Sequence, residues 1–256
     1  MSDLHAAAQQ GFSKEAQAYE RGRPDYPAEL LPWLQQALGA APGRTVVDLG
    51  AGTGKFTQLL VRSGARVIAI EPVDAMRERL AAALPAVTAL AGTAQAMPLA
   101  QRSADALVCA QAFHWFASPV VLAEIHRVLA PGGALALIWN VRDESLDWVA
   151  ALTEIMQVHE GDAPRFRSGA WRQAFAGDAS FSELQETRFA HRHVGTPETV
   201  IVDRCMSVSF IAALPVNEKA GVERQLRTLI ATHPALRGRE SIALPYQTLA
   251  YHCHAR

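Results

Sequence analysis

The sequence predicts a doubly wound α/β fold around a mostly parallel sheet, and three observations carry that expectation. Short β-branched or aliphatic runs alternate with Ala/Leu-rich helical stretches from about residue 45 to 140. These runs are apolar throughout rather than at every second position, which suits strands covered on both faces. The first run ends in a glycine-rich turn that opens a helix.

The elements follow in order. Gly39-Ala40-Ala41-Pro42-Gly43-Arg44 separates a helical lead-in from the first strand. Strands are expected near 45–49, 66–70, 86–91, 104–109 and 133–139, with helices near 54–63, 73–84 and 118–130 between them. Gly132-Gly133 after Pro131 turns the chain into the fifth strand. Beyond it, 146–159 reads as a helix, 160–180 as an irregular insert, 181–194 as a strand, 197–233 as helix broken at Pro215, and 246–254 as a last strand. The expected organisation is an N-terminal helical lid (1–44), an α/β core (45–140) and a C-terminal part (141–256) with substrate-side inserts, within one domain.

Composition narrows the function classes. With 24 basic against 25 acidic residues the formal net charge is −1, so nothing argues for a nucleic-acid partner, which calls for a basic face. Cys109, Cys205 and Cys253 are far apart and outside any CxxC pair, so neither a disulfide framework nor a metal site is indicated. The pairs His191-x-His193 and His252-Cys253-His254 lack a third ligand cluster. No apolar run approaches the ~20 residues of a membrane span, and the first residues lack a signal pattern. A cytoplasmic protein that contacts no membrane is the expectation.

The chemistry sits in Val46-Val47-Asp48-Leu49-Gly50-Ala51-Gly52-Thr53-Gly54. Glycine lets the backbone turn tightly and lie against a ligand with no Cβ in the way. A helix opening near Gly54 offers N–H groups and a positive dipole end to an anionic group. The second strand ends at Glu71, placed to accept hydrogen bonds from both hydroxyls of a ribose. A dinucleotide turn of the form GxGxxG fails here, because Lys55 or Thr57 holds the last position. A P-loop fails too, with Leu49 in place of its first glycine and Phe56 in place of its hydroxyl.

What remains, Asp-x-Gly-x-Gly-x-Gly with a downstream acid, resembles the cofactor motif of class I S-adenosylmethionine-dependent methyltransferases. The likeness extends to Gly92-Thr93-Ala94-Gln95-Ala96-Met97-Pro98-Leu99, to Gln111-Ala112-Phe113-His114-Trp115-Phe116 after the fourth strand, and to Leu129-Ala130-Pro131-Gly132-Gly133. Phe12-Ser13, Ala16, Tyr19, Arg23-Pro24 and Tyr26-Pro27 are similar to a small-molecule subgroup containing trans-aconitate methyltransferase. The resemblance implies a Rossmann-like, seven-stranded mixed sheet with an antiparallel final strand. It implies S-adenosylmethionine as cofactor, held by Tyr19, Asp48, Gly50, Ala51, Gly52, Glu71, Pro72, Thr93, Ala94 and Gln111.

The implied reaction is direct methyl displacement onto a small molecule, in which the protein aligns the reactants and excludes water. A carboxylate acceptor is already ionised near neutral pH and needs no base. His114 is the candidate for a general base or for a substrate hydrogen bond, against packing among Phe113, Trp115 and Phe116. Tyr19 either reaches the cofactor or packs with Phe12 and Ala16 at helical spacing. Arg23, and Arg167 with Trp171 in an arginine-containing insert that also holds Arg165 and Arg172, are candidates to bind an anionic substrate. The insert's arginines equally suit a solvated surface. No Asn/Asp-Pro-Pro-aromatic tetrad follows the fourth strand, which favours oxygen or carbon acceptors over amide nitrogen. A short-chain reductase is disfavoured because no Tyr-x-x-x-Lys occurs. A cofactor-binding regulatory or scaffold protein without turnover remains the alternative.

Overall fold

In the computed structural model, which describes residues 23–256, each aliphatic run becomes a strand of one sheet. The strands are β1 (Thr45–Leu49), β2 (Arg66–Ile70), β3 (Thr88–Leu90), β4 (Ala104–Ala110), β5 (Leu129–Arg142), β6 (Gln185–Gly195) and β7 (Ile242–His254). Their order is β3-β2-β1-β4-β5-β7-β6. Strands β1 to β5 pair in parallel, and β7 is antiparallel to both of its neighbours.

Strand periodicity sorts the core into two layers, because successive side chains point to opposite faces. Val47, Leu49, Leu107, Cys109, Leu135 and Leu137 face one side. There they meet α4 (Pro119–Val128) through Val121, Leu122, Ile125 and Val128. Val46, Val67, Ala106, Val108, Ala136 and Ile138 face the other. They are covered by α1 (Leu30–Leu38), α2 (Thr57–Arg62) and α3 (Asp74–Ala83). Because both faces are covered, these strands read as continuous apolar runs.

Three expectations change. The described N-terminal region is not lid throughout: Leu30 and Leu34 of α1 have no solvent exposure and belong to the core. Each such burial is worth about 2 kcal/mol, so α1 is a structural layer. The helix expected from residue 54 starts only at Thr57, after two turns that the three glycines impose. The helix expected through residue 130 ends at Val128, and β5 begins at Leu129. Ser118 caps its start by accepting the Val121 N–H at 3.3 Å, with Pro119 in the first turn.

The C-terminal helices gather over one end of β7. They are α5 (Asp147–Gln157), a π-helical turn (Glu198–Asp203), α6 (Arg204–Met206), α7 (Ser209–Ala212) and α8 (Val216–Thr232). Trp148, Leu152, Met156, Ile201, Ile211 and Leu226 pack there against Ile242, Leu244 and Tyr246. The insert at 160–180 contains two 3₁₀ segments, Phe166–Ser168 and Ala170–Phe175. No helix among the described residues is long and apolar enough to cross a membrane.

The length of β5 shapes the space beside the sheet. Its pairing with β4 ends at Ala110–Ile138, whereas its pairing with β7 continues to Arg142–Tyr246. The β5/β7 pair therefore overhangs the parallel strands and forms a wall beyond their carboxyl ends.

Candidate active site

The strand order changes direction between β1 and β4, and their carboxyl ends open a crevice there, the place where doubly wound sheets take ligands. The turn after β1 forms its floor. Gly50, Gly52 and Gly54 have φ of 74°, 58° and 89°, a region side-chain-bearing residues rarely adopt. A Cβ on Gly50 would lie 2.8 Å from Ala112 Cβ, and one on Gly54 2.9 Å from Leu80 Cγ. Those two glycines let the turn lie against β4's exit and against α3. Gly52 contributes through its backbone instead, and its N–H donates to Glu71 Oε2 at 2.8 Å.

Two buried carboxylates flank that turn. Glu71, 5 % exposed at the end of β2, also accepts the Val73 N–H on Oε1 at 2.9 Å. Each oxygen keeps acceptor capacity, since a carboxylate has about four lone-pair sites. Burial raises the Glu71 pKa, opposed by the Val73 and Gly52 N–H groups and by Arg77. Asp48 has no exposure; its Oδ2 accepts the Thr57 hydroxyl at 2.6 Å. Its Oδ1 has no hydrogen-bond partner among the described residues. Burial pushes its carboxyl up to about 7, with the Thr57 hydrogen bond opposing and Glu71 adding to the shift.

Ala51, Pro72, Thr93, Ala94 and Gln111 line the same pocket, so the structure brings these expected residues together with Asp48, Gly50, Gly52 and Glu71. The Thr93–Ala94 edge is held from behind: the Met97 N–H donates to Glu124 Oε1 at 2.7 Å, and Arg127 Nη1 donates to the Leu99 carbonyl at 2.9 Å. Gln111 sits at φ 57°, a left-handed conformation uncommon for a non-glycine residue and a local strain of about 1 kcal/mol. The strain turns the chain sharply out of β4 and sets the Gln111 side chain in the pocket mouth.

Residues 23–26 cover that mouth. Lys55 Nζ donates to the Arg23 carbonyl at 2.5 Å and pairs with Asp25 at 3.1 Å. The Tyr26 ring packs edge-on against Phe56 at 4.8 Å, and Asn140 Nδ2 donates to the Asp25 carbonyl at 3.0 Å. Arg23 lines the pocket. Tyr19, with Phe12 and Ala16, lies outside the described residues.

Behind the mouth is a second chamber, walled by the β5/β7 overhang and the C-terminal helices. Arg23, Gln111, Trp115, Asn140 and Arg204 border both spaces. His114 lines the second one, on the 3₁₀ segment Phe113–Trp115. Its Nδ1 accepts the Trp139 indole N–H at 3.0 Å, so the neutral ring carries its proton on Nε2. Burial, Arg165 and Arg23 hold its pKa down to about 3. A neutral ring with one nitrogen accepting and the other protonated can donate a hydrogen bond but has no free lone pair with which to act as a base. Such a ring suits a hydrogen-bond donor better than a general base.

The insert divides its candidates. Arg167 lines the second chamber, but its guanidinium is engaged by Glu160 and, at 3.3 Å, by Gln157. Trp171 does not reach the chamber. It is 2 % exposed and packs against Trp139 at 4.8 Å and Tyr251 at 5.2 Å. A large indole on a 3₁₀ segment facing the sheet lowers its energy by burial, which explains the change of role. Lys55, Asn140, Arg142, Arg204 and Tyr246 were not singled out from sequence as site residues, yet all border one chamber or the other. Lys55 was visible within the glycine motif, whereas Asn140, Arg142 and Arg204 carry no local signal.

Comparison with known proteins identifies the family. Residues 47–137 match a methyltransferase domain model. An uncharacterized methyltransferase of Mycobacterium tuberculosis is 41 % identical over 238 residues, covering 93 % of each chain. Over a shorter span, 39 % of this chain and 38 % of the relative, the chain is 38 % identical to a malonyl-[acyl-carrier protein] O-methyltransferase of Methylococcus capsulatus. A solved structure from Anaeromyxobacter dehalogenans, provisionally assigned as a type II methyltransferase, superposes with a TM-score of 0.65 at 23 % identity, covering 91 % and 97 % of the two chains. With the fold, the glycine turn and relatives aligned along nearly their whole length in agreement, this chain belongs to the class I S-adenosylmethionine-dependent methyltransferases.

Proposed function

We propose that the chain binds S-adenosylmethionine at the glycine turn and catalyses methyl transfer to a carboxylate oxygen of a small molecule. The observation that carries this reading is the pair of buried carboxylates around Gly52. Asp48 Oδ1 lacks a partner among the described residues, and an uncompensated acceptor in a buried site suits an ammonium group of the cofactor's amino-acid end. Glu71 has both oxygens anchored by backbone N–H groups and retains capacity for the two hydroxyls of a ribose. Gly50, Ala51 and Gly52 would let the ligand approach the backbone, while Pro72, Thr93, Ala94 and Gln111 border the remaining contact surface.

When bound, the cofactor supplies a methyl group on a cationic sulfur. A carboxylate oxygen forms the new bond with its own lone pair while the sulfur retains the electrons of the broken one, so no proton has to be moved. That suits a site whose one histidine among the described residues, His114, is neutral and already accepts a hydrogen bond on Nδ1. The protein's contribution is alignment and exclusion of water. Residues 23–26, pinned by Lys55 and Asn140, close the mouth, and His114 Nε2–H is available to orient the acceptor. The O-methyltransferase relative supports oxygen as acceptor.

Calorimetric titration with S-adenosylmethionine and its demethylated product, followed by methyl transfer to panels of carboxylates, phenols and amines, tests the reading. Binding together with transfer to carboxylates is expected. No heat with either nucleoside overturns cofactor binding, transfer only to phenols or amines overturns the acceptor, and binding without transfer to any panel member favours a scaffold role.

A further inference from the structure

The second chamber is strongly cationic. Arg23, Arg142, Arg165, Arg167 and Arg204 line it, against two carboxylates, Glu144 and Glu160. Both acids are engaged within the protein. Glu144 accepts the Thr153 hydroxyl at 2.8 Å, and Glu160 pairs with Arg165 at 3.2 Å and with Arg167. Positive charge is therefore left over deep in the chamber.

The deepest groups are also the least satisfied. Arg204 is 8 % exposed, and its Nε and Nη1 have no hydrogen-bond partner among the described residues. The Tyr246 hydroxyl, on a residue 2 % exposed, has none either. Arg142 Nε is in the same position, its Nη1 reaching only the Met156 sulfur at 3.4 Å. Arg142 and Tyr246 are direct cross-strand partners in the β5/β7 overhang. Directly opposed residues of an antiparallel pair share a face, so both groups point the same way. Arg142 and Arg204 line the same chamber. A buried donor left unmet is costly, and more so when it is charged. Several in one cavity, with cationic partners, amount to a preformed anion site.

We propose that this chamber binds a second carboxylate of the substrate through Arg204, Arg142 and the Tyr246 hydroxyl, so that the methyl acceptor is a small dicarboxylic acid. This rests on the proposed methyl transfer for the reaction, but the anion site stands on its own geometry. One end of the acid would sit in the arginine chamber and the other at the mouth bordered by Gln111, Trp115 and Asn140, where both chambers meet. The product would be a monomethyl ester that keeps one free carboxylate for the same site.

The test is a titration of the full chain, with and without the demethylated nucleoside, using α,ω-dicarboxylates from malonate to adipate, their monoamides and the matching phosphono-carboxylates. At least one diacid should bind tenfold or more tightly than its monoamide. Tyr246→Phe and Arg142→Gln should each remove most of that difference while nucleoside affinity stays within twofold. Because the monoamide comparison uses the unaltered protein, a variant that misfolds does not spoil the test. Equal binding of diacid and monoamide, no diacid binding to a protein that takes up the nucleoside, or tighter binding of the phosphono-carboxylate would each overturn the proposal. Failure of the nucleoside alone to bind counts against the cofactor reading and leaves the diacid comparison to be read on the apo chain.

Discussion

The two chambers share a mouth but are built in opposite ways. The one at the glycine turn is made of backbone and carboxylates: left-handed glycines, strand ends, and Asp48 and Glu71 buried within reach of one another. The one behind it is made of long cationic side chains drawn from β5, the insert and α6, with Tyr246 from β7. Negative charge stored beside positive charge across one opening fits two ligands of opposite need, a nucleoside with cationic groups and an acid. It also means that the halves should fail separately when perturbed.

The largest separate effect is expected at Asp48. Its folded-state pKa is raised from 3.8 to about 7, so the folded chain prefers the protonated form and loses stability as pH climbs through that window. About three pK units correspond to at most about 4 kcal/mol of destabilisation above pH 7. Asp48→Asn, whose amide oxygen still accepts from Thr57, should raise the urea midpoint at pH 8 and leave it nearly unchanged at pH 4. If Asp48 meets an ammonium, affinity for the demethylated nucleoside should rise with pH through about 7 in the natural protein and stay flat in the variant. A midpoint gain independent of pH would show that burial of the charge is not the cause.

Next in size is Glu71→Ala. Loss of the ribose contacts, together with an unpaired Gly52 N–H, should weaken nucleoside binding about 100-fold, close to 3 kcal/mol. Calorimetry should find diacid binding in the second chamber unaffected, and a parallel loss of both would mean that the chambers are one unit. Trp171→Phe comes third. As a core residue it should cost about 1–2 kcal/mol in denaturant without moving the acceptor KM, whereas a raised KM at constant stability would return Trp171 to the site. Smallest is Lys55→Met. Releasing the cover at residues 23–25 should weaken nucleoside binding about fivefold, close to 1 kcal/mol, which competition with a fluorescent nucleoside would detect.

The difference between the chambers also explains what could be read from the chain. The first is local in sequence: Asp48 to Gly54 lies on one turn, Glu71 ends the next strand, and each carries a backbone reason for its residue type. Hence the sheet, its doubly wound layering and most of the pocket's lining were legible. The second chamber depends on residues that meet only through the fold. Arg142 and Tyr246 become neighbours only by antiparallel register, and nothing near Arg142 in sequence marks it. Asn140 and Arg142 interrupt the apolar run of the fifth strand, so the overhang fell outside the expected 133–139. Trp171 misled for a related reason, since an aromatic residue in an arginine-rich insert fits a binding loop and a core plug equally well. The start of α2 at Thr57 was hidden because glycine tolerates both a helix and the tight turns that precede it.

The protruding β5/β7 ribbon has one more implication. Residues two apart along it keep the same orientation, so trimming or lengthening it by two positions on each strand would shift the bottom of the anion cavity by about 7 Å without altering which way its side chains aim. If the chamber binds an acid as proposed, a lineage carrying this scaffold can resize that acid by editing the tip of this two-stranded ledge, leaving the glycine-turn pocket untouched.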